Sequence, residues 1–182
     1  MPHIKGTALI PAVKLYRKNR EKMDPFLGDV AKKLAGGRIL PGSWYPLEHA
    51  TELLRGVARF YGGSLEQAMQ LIGAYMADSD LRGVYAHIVH RGDVVKTARR
   101  AVTLWRSYMD TGTLLFLQPD PSKPMAILRL ENFEQSIPYC KSIIGVTRVV
   151  LTLAGAEGKT EVTELKCTLR GDEACEFQSV WG

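Results

Sequence analysis

A chain of 182 residues is long enough for one well-buried domain of two packed layers and short for two separate cores. With 46% hydrophobic and 24% charged residues it has the composition of a globular protein, and no stretch approaches the roughly 18 consecutive apolar residues of a membrane span. The formal charge of +5 is concentrated in Lys14 to Lys22 and Val95 to Arg106, without a helix-turn-helix, zinc-finger or RNA-binding signature beside it. Nucleic acid is therefore not an expected partner.

The opening segment, MPHIKGTALIPAVKLYRKNREK, runs from an apolar patch into a basic cluster, the reverse of a secretory leader, so a cytoplasmic location is expected. Asp24 and Pro25 read as the cap and first turn of a helix whose stripe is Phe26, Leu27, Val30 and Leu34, stopped by Gly36 and Gly37. After the turn-rich LPGSWYP, Leu47, Ala50, Leu54, Val57 and Tyr61 recur at helical spacing up to Gly62. Ser64 with Gln67 three positions on is a capping box opening a helix through Met76, and Leu81 to Val89 continues helical. Asp93 caps a long amphipathic helix from Val94 through Trp105 to Met109, ending near Gly112.

From residue 112 the pattern changes. Two apolar runs flank the Pro-rich QPDPSKP, which predicts a β-hairpin. Ser136 then caps a helix with Ile137, Cys140, Ile144 and Leu151 on one face, ending near Gly155. A second hairpin closes the chain. Thr163, Leu165, Cys167 and Leu169 share one face of its first strand, as do Cys175, Phe177, Ser179 and Trp181 on its second. The expected fold class is α+β: one domain over 1–182, with a helical part (1–111) packed on a four-stranded antiparallel sheet made of two hairpins joined by a helix (112–182).

Three cysteines in a chain of this size do not suggest a disulfide framework. A turn centred on Gly171 would set Cys167 opposite Cys175, and Cys140 on the apolar face of its helix should point at the same sheet. Three thiols would then converge, either as a metal site or as small buried hydrophobes. Glu164 is the candidate fourth ligand. Its parity relative to Cys167 is wrong for a regular strand, so a bulge at Leu165 to Lys166 would be required. Catalysis has no support, since there is no nucleophile elbow, phosphate loop or zincin signature.

Cys140, then ELKC (Glu164 to Cys167), then GDEACEF (Gly171 to Phe177) resemble the 4-vinyl reductase domain, a small-molecule-binding module related to haem nitric-oxide sensor domains and to TRAPP vesicle-tethering subunits. SWYPL followed by long helices and this ending also resembles a group of bacterial proteins with that fold. The resemblance covers 110–182 well and the helical part in general plan. It implies a structural zinc held by Cys140, Glu164, Cys167 and Cys175, and a small hydrophobic ligand between helices and sheet. Trp44, Tyr45, Tyr85, His87, Trp105, Tyr108 and Phe116 are the residues that could line such a cavity, with apolar bodies and polar tips. Haem is not expected, because the Tyr-x-Ser-x-Arg motif of the haem sensors is absent and a proximal histidine has only His87 and His90 to draw on. The functional expectation is a non-catalytic ligand sensor signalling through a protein partner; the alternative is a scaffold homodimer like the vesicle-tethering subunits, without a ligand.

Overall fold

The computed structural model describes residues 2–182. In chain order its strands and α-helices are β1 (His3–Lys5), α1 (Gly6–Lys18), α2 (Arg20–Met23), α3 (Asp29–Gly36), β2 (Trp44–Pro46), α4 (Leu47–Tyr61), α5 (Leu65–Arg82), α6 (Val94–Ala101), α7 (Trp105–Tyr108), β3 (Thr113–Leu117), β4 (Met125–Glu131), α8 (Ser142–Ala154), β5 (Glu161–Lys166) and β6 (Cys175–Val180). The fold is α+β. Its four-stranded sheet has the order β3-β4-β6-β5 with every pair antiparallel.

Strand periodicity builds the sheet's inner face. Ala126, Leu128 and Leu130 of β4 are buried, as are Cys175, Phe177 and Ser179 of β6, and this face packs into one core with the helices. Among the helices, α5 and α8 approach most closely, and glycine permits it. A Cβ on Gly73 would stand 2.2 Å from the Ser142 carbonyl oxygen, and one on Gly145 would stand 1.9 Å from that of Gln70. The capping box at Ser64 and Gln67 forms with both reciprocal bonds, and α4 and α8 end at the left-handed Gly62 and Gly155.

Several sequence expectations are corrected. Asp24 to Phe26 form a short 3-10 turn and the helix starts at Asp29. Its inward residues are Ala31 and Ala35, while Phe26 and Val30 are exposed. These small side chains let α3 lie close on α4, and ahead of α3 the Leu27 side chain packs so near α4 that a Cβ on Gly56 would strike it. The helix expected from Val94 to Met109 breaks into α6, a 3-10 turn at Val102–Leu104 and α7. At the break the Thr103 hydroxyl donates to the Arg100 carbonyl at 2.7 Å, the side-chain competition for backbone groups that disfavours helix interiors. Ser136 does not cap α8, which opens at Ser142 after a 3-10 turn over Tyr139–Lys141. β1 and β2, a two-stranded ribbon absent from the sequence reading, tie the first residues to SWYP. In β5 the pairing shifts between Glu164 and Lys166, so Thr163, Leu165 and Leu169 face outward while Val162 and Cys167 go in. Among the described residues no helix is long and apolar enough to cross a membrane.

Candidate functional site

Between α5, α6, α8 and the sheet lies a cavity of about 100 Å³. Ala77 of α5, Ala98 and Ala101 of α6, and Val146 and Val150 of α8 supply small or branched apolar walls. Leu114 and Leu128 close it from the sheet side. Trp105, Tyr108 and Tyr139 bring aromatic rings to one end, Trp105 standing edge-on to Phe133 at 5.3 Å and to Tyr139 at 6.4 Å between ring centres. Val94, Ala98, Ala101, Trp105 and Tyr108 recur every three or four residues, so one inward stripe carries across the 3-10 turn from α6 to α7.

Polar groups in the wall are few. The Tyr108 hydroxyl donates to Asp80, the Thr147 hydroxyl to the Ile143 carbonyl at 2.7 Å, and the Trp105 indole N–H to the Thr111 carbonyl at 2.9 Å. Burial raises the Tyr108 phenol well above its ordinary pKa, and the bond to Asp80 adds to the effect. It stays neutral and donating throughout the ordinary pH range. A cavity with apolar walls and a few placed hydroxyls binds small molecules by shape first and orients them by hydrogen bond.

Of the seven residues expected to line a ligand cavity, the structure brings Trp105 and Tyr108 to this one and puts the other five elsewhere. Trp44 is exposed in β2 under the Lys5 ammonium, 4.2 Å from its ring centre, and the Tyr45 hydroxyl accepts from the Leu40 amide. Phe116 lies beneath the Arg99 guanidinium. Tyr85 and His87 face each other at 6.4 Å near a satellite cluster around Leu81 and Ile88, with His87 exposed. Aromatic type is legible in the sequence; which layer each ring enters is not. Tyr139 and the alanines of α6 escape a sequence reading that looks for aromatic rings with polar tips on the helical part, although the spacing of Val94, Ala98 and Ala101 marks that helix face as inward.

The three cysteines do converge. Cys140, Cys167 and Cys175 are all buried, their sulfur atoms lie within 4.8 Å of one another, and Cys140 and Cys167 are 3.8 Å apart. Cys175 accepts from the Thr168 amide and the Gln135 side chain, each at 3.4 Å. Its pKa lies below the usual thiol value, chiefly through the Cys140 thiol and also through Thr168, whereas burial raises Cys167. Glu164 is the correction. The strand does bulge beside it, but the carboxylate turns to Lys141, whose ammonium donates at 2.7 Å, and to Arg170, leaving it outside the thiol cluster. The three thiols lie together, one ligand short of the four of a closed structural zinc site.

His90 is placed unlike a ligand. Its Nε2 is sealed from solvent without a hydrogen-bond partner, while its backbone amide donates to the Thr97 hydroxyl at 2.9 Å. Its pKa is lowered, first by burial and then by Lys96 and Arg100, with Asp93 opposing. Below the ordinary value of 6.5 the unfolded chain therefore takes up a proton that the folded protein still refuses. Native stability falls as pH drops through that window and levels off below the lowered folded value. Urea unfolding of the native protein and of His90→Gln at about pH 7.5 and about pH 5.5 should show the smaller acid loss in the variant. Equal losses would show that this imidazole titrates alike in both states.

No family model matches the chain, and no curated protein does. Solved structures do. An H-NOX protein from S. oneidensis in its Fe(II)NO ligation state superposes with a TM-score of 0.70 at 11% identity, over 98% of this chain and 99% of that one. A mutant H-NOX protein from K. algicida in its unliganded Fe(II) state gives 0.71 at 10% identity, over 98% and 96%. An oxygen-binding H-NOX domain related to soluble guanylate cyclases gives 0.68 at 11%, over 97% and 94%.

The expectation that haem is unlikely is corrected by these comparisons: the structures that share the architecture are iron-bearing H-NOX proteins, a family studied for heme distortion. Absence of a short motif is a poor guide to a fold set by packing. The residues of this chain form a separate observation. Among the described residues no histidine lines the cavity, and Tyr108, one of its possible oxygen donors, is held neutral against Asp80. The lining therefore does not supply the proximal histidine of a histidine-ligated haem. Across nearly its whole length, this chain has the fold of the H-NOX domains.

Proposed function

We propose that the chain is a non-catalytic ligand-sensing domain in which a small, mostly apolar molecule occupies the cavity between α5, α6, α8 and the sheet. Occupancy shifts the balance between packings of these elements, and a signalling protein reads the result. The observation that carries the reading is the cavity itself, an apolar space walled by both the helical part and the sheet. Any molecule that fills it touches both layers at once. The likeness to H-NOX domains, which include NO-ligated and oxygen-binding members, supports a ligand chamber in this place. The cavity also favours sensing over the ligand-free scaffold, which needs no interior space.

The test is thermal unfolding of the native protein with a panel of apolar compounds of benzene size and below, repeated on Ala98→Phe, whose ring fills the chamber. Binding to the folded state alone raises the apparent Tm by mass action. The expected result is a concentration-dependent rise in the native protein that the variant loses while remaining folded. Absence of any rise across the panel, or an equal rise in the variant, would contradict the reading. Hemin is titrated as a separate arm. A Soret band that survives gel filtration and disappears in Ala98→Phe would make haem the occupant and overturn the small-molecule assignment.

A further inference from the structure

The four-stranded sheet guards one of its two edges and leaves the other open. On the β5 edge Glu161 and Lys166 are exposed charges, and the ladder shifts between Glu164 and Lys166. Charge and bulge are the devices that keep an edge strand from pairing with another chain. The β3 edge has neither. Thr111 to Gln118 contain no charged residue and no proline, and all of β3 pairs with β4 in unbroken register. None of its residues is buried, and Leu117 is 41% exposed. Among the described residues nothing outside β4 hydrogen-bonds the β3 backbone, so alternate N–H and C=O groups along its outer side stand without a partner.

Cations flank this edge. The Arg99 guanidinium stands 5.6 Å from the Phe116 ring centre towards one end of β3, and Arg106 donates to the Thr113 hydroxyl at 3.0 Å at the other. Both arginines are exposed, and the carboxylates nearest to the strand are engaged elsewhere: Asp110 with His3, Asp120 with Lys123, and Glu131, opposite Thr113, with Arg129. We infer that β3 is the docking edge for an acidic, extended segment of a partner protein, which adds a strand to the sheet and sets its carboxylates against Arg99 and Arg106. Main-chain bonds supply affinity and the two arginines the preference for acids. A second copy of this chain fits less well. Antiparallel self-pairing about Leu115 sets Thr113 of each copy opposite Leu117 of the other, which brings Arg106 of one towards Arg99 of the other, like charge facing like. Leu114 of β3 also lines the cavity, so a strand docked here joins an element that an occupant touches. As a docking site the edge stands without the ligand-sensing reading; as the place where occupancy is read, it rests on it.

Two capped peptides, VEVEVEV and VKVKVKV, test this. Each is titrated by NMR at low ionic strength into the native protein and into the double variant Arg99→Ala/Arg106→Ala, with amide hydrogen exchange followed at residues 113–117. The expected result is that VEVEVEV binds the native protein and slows exchange of the outward amides of β3, whereas VKVKVKV does neither. The double variant should bind VEVEVEV about fivefold more weakly, the effect of losing two exposed charge pairs. No slowing in β3, equal binding of the two peptides, or an affinity that the variant leaves unaltered would overturn the inference. So would slowing that grows with protein concentration in the absence of peptide, which would make a second copy the occupant. No cavity ligand is added, so failure here leaves the thermal-unfolding result untouched, and failure there leaves the docking edge standing.

Discussion

Gly145→Ala should destabilise the protein by about 3 kcal/mol or more, measured by urea unfolding, although alanine is the better helix former by about 1 kcal/mol. The new Cβ would lie 1.9 Å from the Gln70 carbonyl oxygen and 2.7 Å from the Ala74 amide nitrogen, both backbone atoms of α5 that no rotamer change can move aside. The helices must separate. Because α5 and α8 are two walls of the cavity, the same substitution should disturb ligand responses as well as stability. Gly36→Ala is the control. Nothing lies within 4 Å of its added Cβ, so it should be neutral or slightly stabilising. A Gly145→Ala protein as stable as the native one would show that the helices are not in this close register.

Trp105→Ala should cost about 4 kcal/mol by the same measurement, the range for removing a buried tryptophan. The residue is 8% exposed, packs edge-on to Phe133 and Tyr139, and donates its indole N–H to the Thr111 carbonyl at 2.9 Å. Trp105→Phe keeps an aromatic body and loses the indole bond, so about 1 to 2 kcal/mol is expected for it. The ordering of the two variants is the informative result. If phenylalanine costs as much as alanine, the hydrogen bond to Thr111 rather than ring packing holds this end of the cavity together.

Local chemistry makes the fold legible where it acts locally. Ser64 and Gln67 mark a helix start by their own side-chain bonds, Gly62 and Gly155 mark helix ends by left-handed backbone, and the alternation through Met125–Glu131 marks β4. The errors have non-local causes. Leu165 reads as inward by parity, but the shift in the β5 ladder beside it, which the sequence raised only as a condition for Glu164 to join the thiols, turns it out. Glu164 reads as a metal ligand beside Cys167, but Lys141, the neighbour of Cys140 in sequence, reaches the carboxylate first across 23 positions. The cysteine cluster is legible because strand and helix periodicity both point the thiols inward. The cavity is not, because its walls are alanine, valine and leucine, residues that look the same whether they enclose a space or fill one.

Diffraction from a crystal of the protein under xenon pressure asks whether the chamber exists without presuming its natural ligand, because xenon enters dry apolar cavities of any origin. A xenon peak in contact with Ala98, Val146 and Val150, absent from Ala98→Phe, is the expected result. A structure in which side chains close that space, with no xenon between α6 and α8, would contradict the ligand-chamber reading.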